Sequence, residues 1–320
     1  MEKASEGKIL RRNIFFIFVF YIYTLCAIVY KHYSQRRYKY DLDVCFRLKL
    51  QFIPYVGYAG ERGVCHRSAE SGGRFHGIHR YRRPGFRGDD EVLDAYKGPG
   101  TSSCPSPGEW AAQFEKADRV IAVTISSSLS GSYSSAVSAA RMVTEEHPEK
   151  KIHVVDSLST AGEMVFILQA AIDAIREGCD FEEVAARAEA VKEKSALLFV
   201  LSSFENLVKN GRMNRLSGFV AGRLGLRAIG RASEEGTIDV FAKARGELHA
   251  INAIVEELEN SGYLGGPLRI DHVLNEAGAH MLRLAIHKKW PRAAVTIGRC
   301  GGLCSFYAQR SGLMIAYRKG

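Results

Sequence analysis

Apolar and polar positions change rhythm twice along this chain of 320 residues. From residue 92 onward, short apolar runs alternate with amphipathic stretches. Residues 109–117 follow Pro107-Gly108 and carry Trp110 and Phe114 on one face, which predicts a helix. The run VIAVTI at 120–125 predicts a short buried strand. Ser130 or Ser132 then caps a helix to about residue 146, which His147-Pro148 ends. Residues 152–155 predict a second buried strand, followed by Asp156-Ser157. In 160–176, Met164, Ile167, Leu168, Ala171 and Ile175 make a helical stripe that Gly178 stops. Residues 180–194 predict a third, more polar helix. This strand–helix alternation predicts a parallel α/β layer.

The second half has another grammar. ALLFVL at 196–201 predicts a strand, with a helix after it through Phe204, Leu207 and Val208. Residues 228–232 and 237–242 flank Glu234-Glu235-Gly236 and predict a hairpin. An amphipathic helix over 246–260, a strand over 268–272, a helix over 276–289 and strands at 295–297 and 313–317 complete the pattern. Hairpin plus helices predicts an α+β domain that begins near residue 195. No tandem repeat of useful period appears.

The first quarter fits neither grammar. Residues 14–30 are an uncharged apolar run of 17, at the short end for a membrane-spanning helix. Arg11-Arg12 precede it and Lys31, Arg36 and Arg37 follow it, so charge gives no orientation. No small-residue cleavage site follows, which argues against a secretory signal. From residue 38 to 88 no period lasts, and Arg, His, Gly and Tyr alternate without pattern. The organisation expected is therefore an atypical segment 1–88, an α/β domain 89–194 and an α+β domain 195–320.

Charge follows the same division. The net +9 is concentrated in residues 1–88, which hold 17 Lys and Arg against 6 Asp and Glu. Residues 89–320 hold 27 against 29, which gives no reason to expect a nucleic-acid partner. The seven cysteines are irregularly spaced, with no C-x-x-C pair, so no metal is expected and reduced thiols are the default.

Two hydroxyl-rich turns stand directly before helical patterns. One runs Thr101-Ser102-Ser103-Cys104-Pro105-Ser106-Pro107, the other Ser126-Ser127-Ser128-Leu129-Ser130-Gly131-Ser132-Tyr133. Helix N-termini present free N–H groups and hydroxyls add donors, so two converging turns would hold a carboxylate or phosphate. Neither turn brings a base that would make a serine or Cys104 a nucleophile, so no catalytic residue is assigned. Taken alone, Ser102, Ser103 and Ser130 read more readily as turn and cap residues. Arg212 alone reads more readily as a solvated charge, and His272 as a structural residue at a strand end. Gly222, Gly225 and Gly230 have the wrong spacing for a dinucleotide loop, and no G-x-x-x-x-G-K-[ST] loop occurs.

Residues 92–320 resemble the DegV family of bacterial fatty-acid-binding proteins, which includes the acyl-carrying B subunit of fatty acid kinase. The stretches that carry the resemblance are S-S-C-P-S-P-G-E-W (102–110), I-S-S-S-L-S-G-S-Y-S-S-A (125–136), D-S-L-S-T (156–160), N-G-R-M (210–213), R-I-D-H (269–272) and G-L-C-S-F-Y (302–307). The resemblance implies an α/β N-terminal domain, an α+β C-terminal domain and a tunnel between them for a long-chain fatty acid. It places the carboxylate on Ser102, Ser103, Ser130 and Gly131, with Arg212 and His272 closing the site from the second domain. Ser102 stands where the family usually has Thr, and keeps the hydroxyl. It also implies a non-catalytic, cytoplasmic protein with no cofactor, whose ligand is presented to a separate kinase catalytic subunit. The rival expectation is a membrane-anchored interaction protein held through 14–30.

The family would begin with a strand and an Asp-Ser-Ser turn, and residues 1–88 show neither pattern. Back-translation of residues 67–80, shifted by one base, permits A-P-L-K-V-V-A-D-S-T-E-Y-T-D. That resembles the apolar strand and acidic hairpin expected there. The first quarter is accordingly read as the translation of a shifted frame, and an inactive product of such a gene is the second alternative. A chain lacking the first strand and turn is expected to fold poorly or to bind lipid weakly.

Overall fold

The computed structural model describes residues 15–19, 65–67, 75–77, 100–213 and 225–320. In the first quarter the described backbone forms three strands: β1 (Phe15–Val19), β2 (Cys65–Arg67) and β3 (Phe75–Gly77). Strand β2 pairs antiparallel with β3 and with β4 (Gly100–Thr101). The apolar run 14–30 thus opens as a strand, and its residues 20–30 lie outside the described residues, as do most of 1–88 and all of 89–99. Among the described residues no helix is long and apolar enough to cross a membrane.

The first domain is the expected α/β layer. Strand β5 (Arg119–Thr124) is central, with β1 and β6 (Lys151–Asp156) parallel on its two sides. Helix α1 (Pro107–Phe114) starts at a capping box in which Ser106 and Glu109 satisfy each other's main-chain N–H. Helix α2 (Ser132–Glu146) follows β5, and α3 (Gly162–Arg176) follows β6. Asp180 caps α4 (Phe181–Ala190), and a 3-10 turn over Lys192–Lys194 ends the layer. The predicted third helix is therefore two pieces. Trp110, Phe114, Val120, Ala136 and Ala139 fill one face of the sheet, while Ile121, Val123, Met164 and Ile167 fill the other.

The second domain is a six-stranded sheet in the order β11-β10-β12-β7-β8-β9. Its strands are β7 (Ser195–Leu201), β8 (Leu226–Ala232), β9 (Ile238–Arg245), β10 (Pro267–His272), β11 (Ala294–Arg299) and β12 (Leu313–Arg318). Only β10 and β11 run parallel; the other neighbours are antiparallel. Alternation along β7 sends Leu198 and Val200 to one core and Leu197, Phe199 and Leu201 to another. Helices α6 (Glu247–Asn260) and α7 (Glu276–Lys289) cover the first face. The second face turns toward the first domain, with α5 (Glu205–Lys209) and α8 (Gly302–Ala308) at its margin.

Helix α3 joins the two halves. Ala316 of β12 lies 2.9 Å from the position a Cβ would take on Gly162, so the helix start and the second sheet meet without room for a side chain. The next residue, Glu163, is 4% exposed and accepts a 2.6 Å hydrogen bond from Ser195 Oγ at the head of β7.

Candidate functional site

The two hydroxyl turns pack on each other. A Cβ on Gly131 would stand 3.2 Å from the Cys104 sulfur, and Ser135 Oγ of α2 donates to the Pro105 carbonyl at 2.6 Å. The second turn tightens through Leu129 and Ser130 main-chain N–H bonds to the Ser126 carbonyl. Gly131, not a serine, is the N-cap of α2, and no side chain caps this helix. Ser130 Oγ instead lies 3.0 Å from Ser132 Oγ and accepts from Ser132 N–H. Two hydroxyls joined by one hydrogen bond keep one O–H proton to donate elsewhere.

An apolar cavity, about 770 Å³ of non-atom space with its mouth included, opens between the domains. Its wall takes Ile125, Leu129, Ser159 and Thr160 from the first domain and Leu197, Phe199, Leu201, Met314 and Tyr307 from the second. Residues 231–238, the end of β8, the hairpin tip and the start of β9, contribute Arg231, Ala232, Gly236, Thr237 and Ile238.

Of the residues expected at a carboxylate site, Arg212 lines this cavity. Its Nε donates to the Leu129 carbonyl at 3.3 Å, and its Nη1 donates to the Asn210 carbonyl. Both acceptors are uncharged carbonyls, which places a guanidinium beside the second hydroxyl turn. Ser102 is half-buried, with its Oγ 2.6 Å from the Tyr307 hydroxyl, itself on the cavity wall. Ser103 and Gly131 are exposed in their turns, and Ser130 is half-buried.

His272 is not brought to this place. It stands opposite Leu313 in the β10–β12 register, and Leu313 belongs to the core under α6 and α7. Side chains alternate along a strand, so His272 shares that face rather than the cavity face. Its Nδ1 accepts the Asn275 N–H at the start of α7, and the residue is 3% exposed.

Sequence reasoning did not single out Tyr307, Ser126 or Ser128 as individuals. Ser126 Oγ donates to the Gly236 carbonyl and Ser128 Oγ to the Glu235 carbonyl, which fixes the hairpin tip over the cavity. All three residues lie in stretches that carried the family resemblance, and their partners are more than 100 residues away.

Among the described residues no cluster of three or more His, Cys, Asp and Glu is placed to hold a metal. Cys104, Cys179, Cys300 and Cys304 are free thiols, and Cys304 lies 3.6 Å from Thr160 Oγ1 at the cavity.

Known proteins share this architecture. The family model described as "Uncharacterised protein, DegV family" matches residues 91–318. A DegV domain-containing protein of Streptococcus pyogenes serotype M1 is 42% identical over 217 residues, covering 68% of this chain and 78% of its own. One from Streptococcus pneumoniae strain R6 is 42% identical over 227 residues, 71% of this chain and 81% of its own. Among solved structures, the S. pneumoniae fatty acid kinase (Fak) B3 protein loaded with linoleic acid is 37% identical, with TM-score 0.72. That match covers 80% of this chain and 90% of the other. A protein from Eubacterium eligens loaded with heptadecanoic acid is 33% identical, with TM-score 0.70 over 80% of this chain and 91% of the other.

Proposed function

This chain belongs to the DegV family, and from that premise we propose that it binds one long-chain fatty acid in the cavity between its domains. The observation that carries the reading is an apolar inter-domain cavity with an Arg guanidinium and two hydroxyl turns at one margin. A buried carboxylate needs converging donors, and a charged fork with hydroxyls supplies them. The acyl tail contributes roughly 0.8 kcal/mol per methylene buried, before ordering and association costs.

In this reading Arg212 and the hydroxyls of Ser102, Ser103 and Ser130 hold the carboxylate, with the Gly131 main chain at the head of α2. His272 takes no ligand contact, because its strand face points away from the cavity. The protein acts in the cytoplasm as a carrier without chemistry of its own and offers the exposed head group to a fatty acid kinase subunit. Support for that partner is the likeness to the Fak B3 protein.

Mass spectrometry of lipid co-purified with the full chain tests the reading. A stoichiometric long-chain fatty acid is expected. Empty protein that also fails to take up oleate after delipidation would overturn it.

A further inference from the structure

Ser102 and Tyr307 lie 205 positions apart in sequence, yet their hydroxyl oxygens are 2.6 Å apart. One belongs to the first turn of the first domain and the other to α8 of the second. The phenol lies on the cavity wall that also holds Arg212. Its ring is set edge-on to Phe306, with centroids 4.9 Å apart, and the Phe306 carbonyl accepts from Asn206 Nδ2 at 2.7 Å. The phenol therefore sits on a backbone tied to α5, three residues before Arg212 on the path through Lys209 and Asn210.

A pair of hydroxyls in one hydrogen bond commits one of its two protons to that bond. The second proton is left to be donated to a third acceptor. An anion satisfies that need better than water does, since a hydrogen bond to a charged acceptor is about twice as strong as a neutral one. The donor that faces the anion is polarised by its neighbour, so the pair binds as a unit. Leu207, Leu303 and Ala308 are among the apolar residues that share the cavity wall with Tyr307.

We propose that Tyr307 is a direct ligand of the fatty acid head group, forming with Ser102 a two-hydroxyl donor that spans the domain boundary. This rests on the fatty-acid reading above. It assigns to the carboxylate a phenol from the second domain, at a place where the sequence pointed to His272. Binding of the head group then draws on both domains at one point.

Tyr307→Phe keeps the ring and its Phe306 contact and removes only the hydroxyl. The full chain, stripped of lipid, is titrated with oleate and with oleyl alcohol, which has the same tail and no charge. Tyr307→Phe is expected to weaken oleate about 10- to 150-fold, the range for a lost hydrogen bond to a charged group. Oleyl alcohol should change at least several-fold less. Ser102→Ala should give the same split, and the double variant should be little weaker than either single one. Should Tyr307→Phe lower the melting temperature, Ser102→Ala carries the comparison from the other side of the pair. Equal effects on acid and alcohol, or no effect on either, would overturn the role of Tyr307 while leaving the fatty-acid reading intact. Failure of the unaltered protein to bind oleate would overturn both.

Discussion

Ser126 Oγ donates to the Gly236 carbonyl across 2.7 Å, joining segments 110 residues apart. The same oxygen accepts from Ser128 N–H, and Ser128 Oγ donates to the Glu235 carbonyl at 2.6 Å. The second hydroxyl turn thereby fastens the tip of the β8–β9 hairpin, whose residues roof the cavity. Each of these neutral bonds contributes a net of about 0.5–1.5 kcal/mol. That is enough to favour a closed roof and little enough to let it open at ordinary temperature.

Gly236 is the point at which this fastening is most easily broken. Its φ is +74°, and an added Cβ would meet Ser126 Oγ at 2.2 Å and the Leu158 backbone at 3.0 Å. Gly236→Ala therefore suffers both a left-handed backbone, costing about 1–2 kcal/mol, and a clash with the turn. Faster release of a bound fluorescent fatty acid is expected in stopped flow, with a smaller effect for Ser126→Ala. An unchanged release rate in Gly236→Ala would show that ligand leaves by another route.

Arg212 carries a formal positive charge on the cavity wall next to the second turn, whereas Arg231 on the same wall is paired with Asp239 and Glu257. Arg212→Gln keeps length and some donors but loses the charge. Oleate affinity should fall roughly 10- to 100-fold, from about 1.5–3 kcal/mol for a charged hydrogen bond. Oleyl alcohol should bind almost as before. Calorimetry on the two ligands separates loss of charge from loss of shape.

Glu163 provides a pH test. Burial raises its carboxyl above the ordinary glutamate range, opposed in part by the hydrogen bond from Ser195 and by the Lys319 charge. A raised folded-state pKa means that the folded chain holds more protons than the unfolded one in that window. Stability therefore falls as pH rises from the ordinary glutamate range through the raised value. The slope from one group cannot exceed about 1.4 kcal/mol per pH unit. Glu163→Gln can still accept from Ser195 Oγ and does not ionise, so urea unfolding of this variant should show a shallower decline as pH rises above the ordinary glutamate range. Some slope remains, because burial also raises Asp271 against the opposing charge of Arg269. Identical slopes in both proteins would remove Glu163 from the account.

Phe199 sets the depth of the cavity beside β8. Its ring edge lies 2.2 Å from where a Cβ of Gly230 would stand, so the phenyl occupies the space that Gly230 leaves. Phe199→Leu removes part of that wall at a cost of about 1–2 kcal/mol in stability. Longer acyl chains should gain affinity relative to shorter ones in a competition series from C12 to C20. A uniform loss across the series would place Phe199 away from the tail.

Much of this architecture was legible because its strands are short, continuous apolar runs and its helices carry single stripes. VIAVTI and ALLFVL are buried on both faces, and both are strands. Caps were the least legible feature, since the one expected, Ser130 or Ser132, is not the cap and the side-chain caps lie elsewhere. Ser106 and Asp180 make such caps, whereas α2 begins on Gly131, whose cap is backbone alone. Helix α8 was not foreseen, since its seven residues are too few to display a period. Phe15–Val19 read as part of a possible span, because an apolar strand and the start of an apolar helix look the same until a pairing partner is known. The hydroxyl turns were visible at once, and in the structure they stand in contact through Gly131 and Cys104. Which face His272 occupies depends on the register of β10 against β12, and a single strand does not encode that. Tyr307 depends in the same way on Ser102, two hundred residues earlier.

The division of the cavity wall between two domains has a last consequence. The hydroxyl turns belong to one half of the chain; the guanidinium, the phenol and the roof belong to the other. On the proposed reading neither half contains a binding site by itself, so capture of ligand and docking of the halves are one equilibrium. Whatever occupies the cavity is then a shared piece of core, and its concentration helps to set how firmly the two halves hold together.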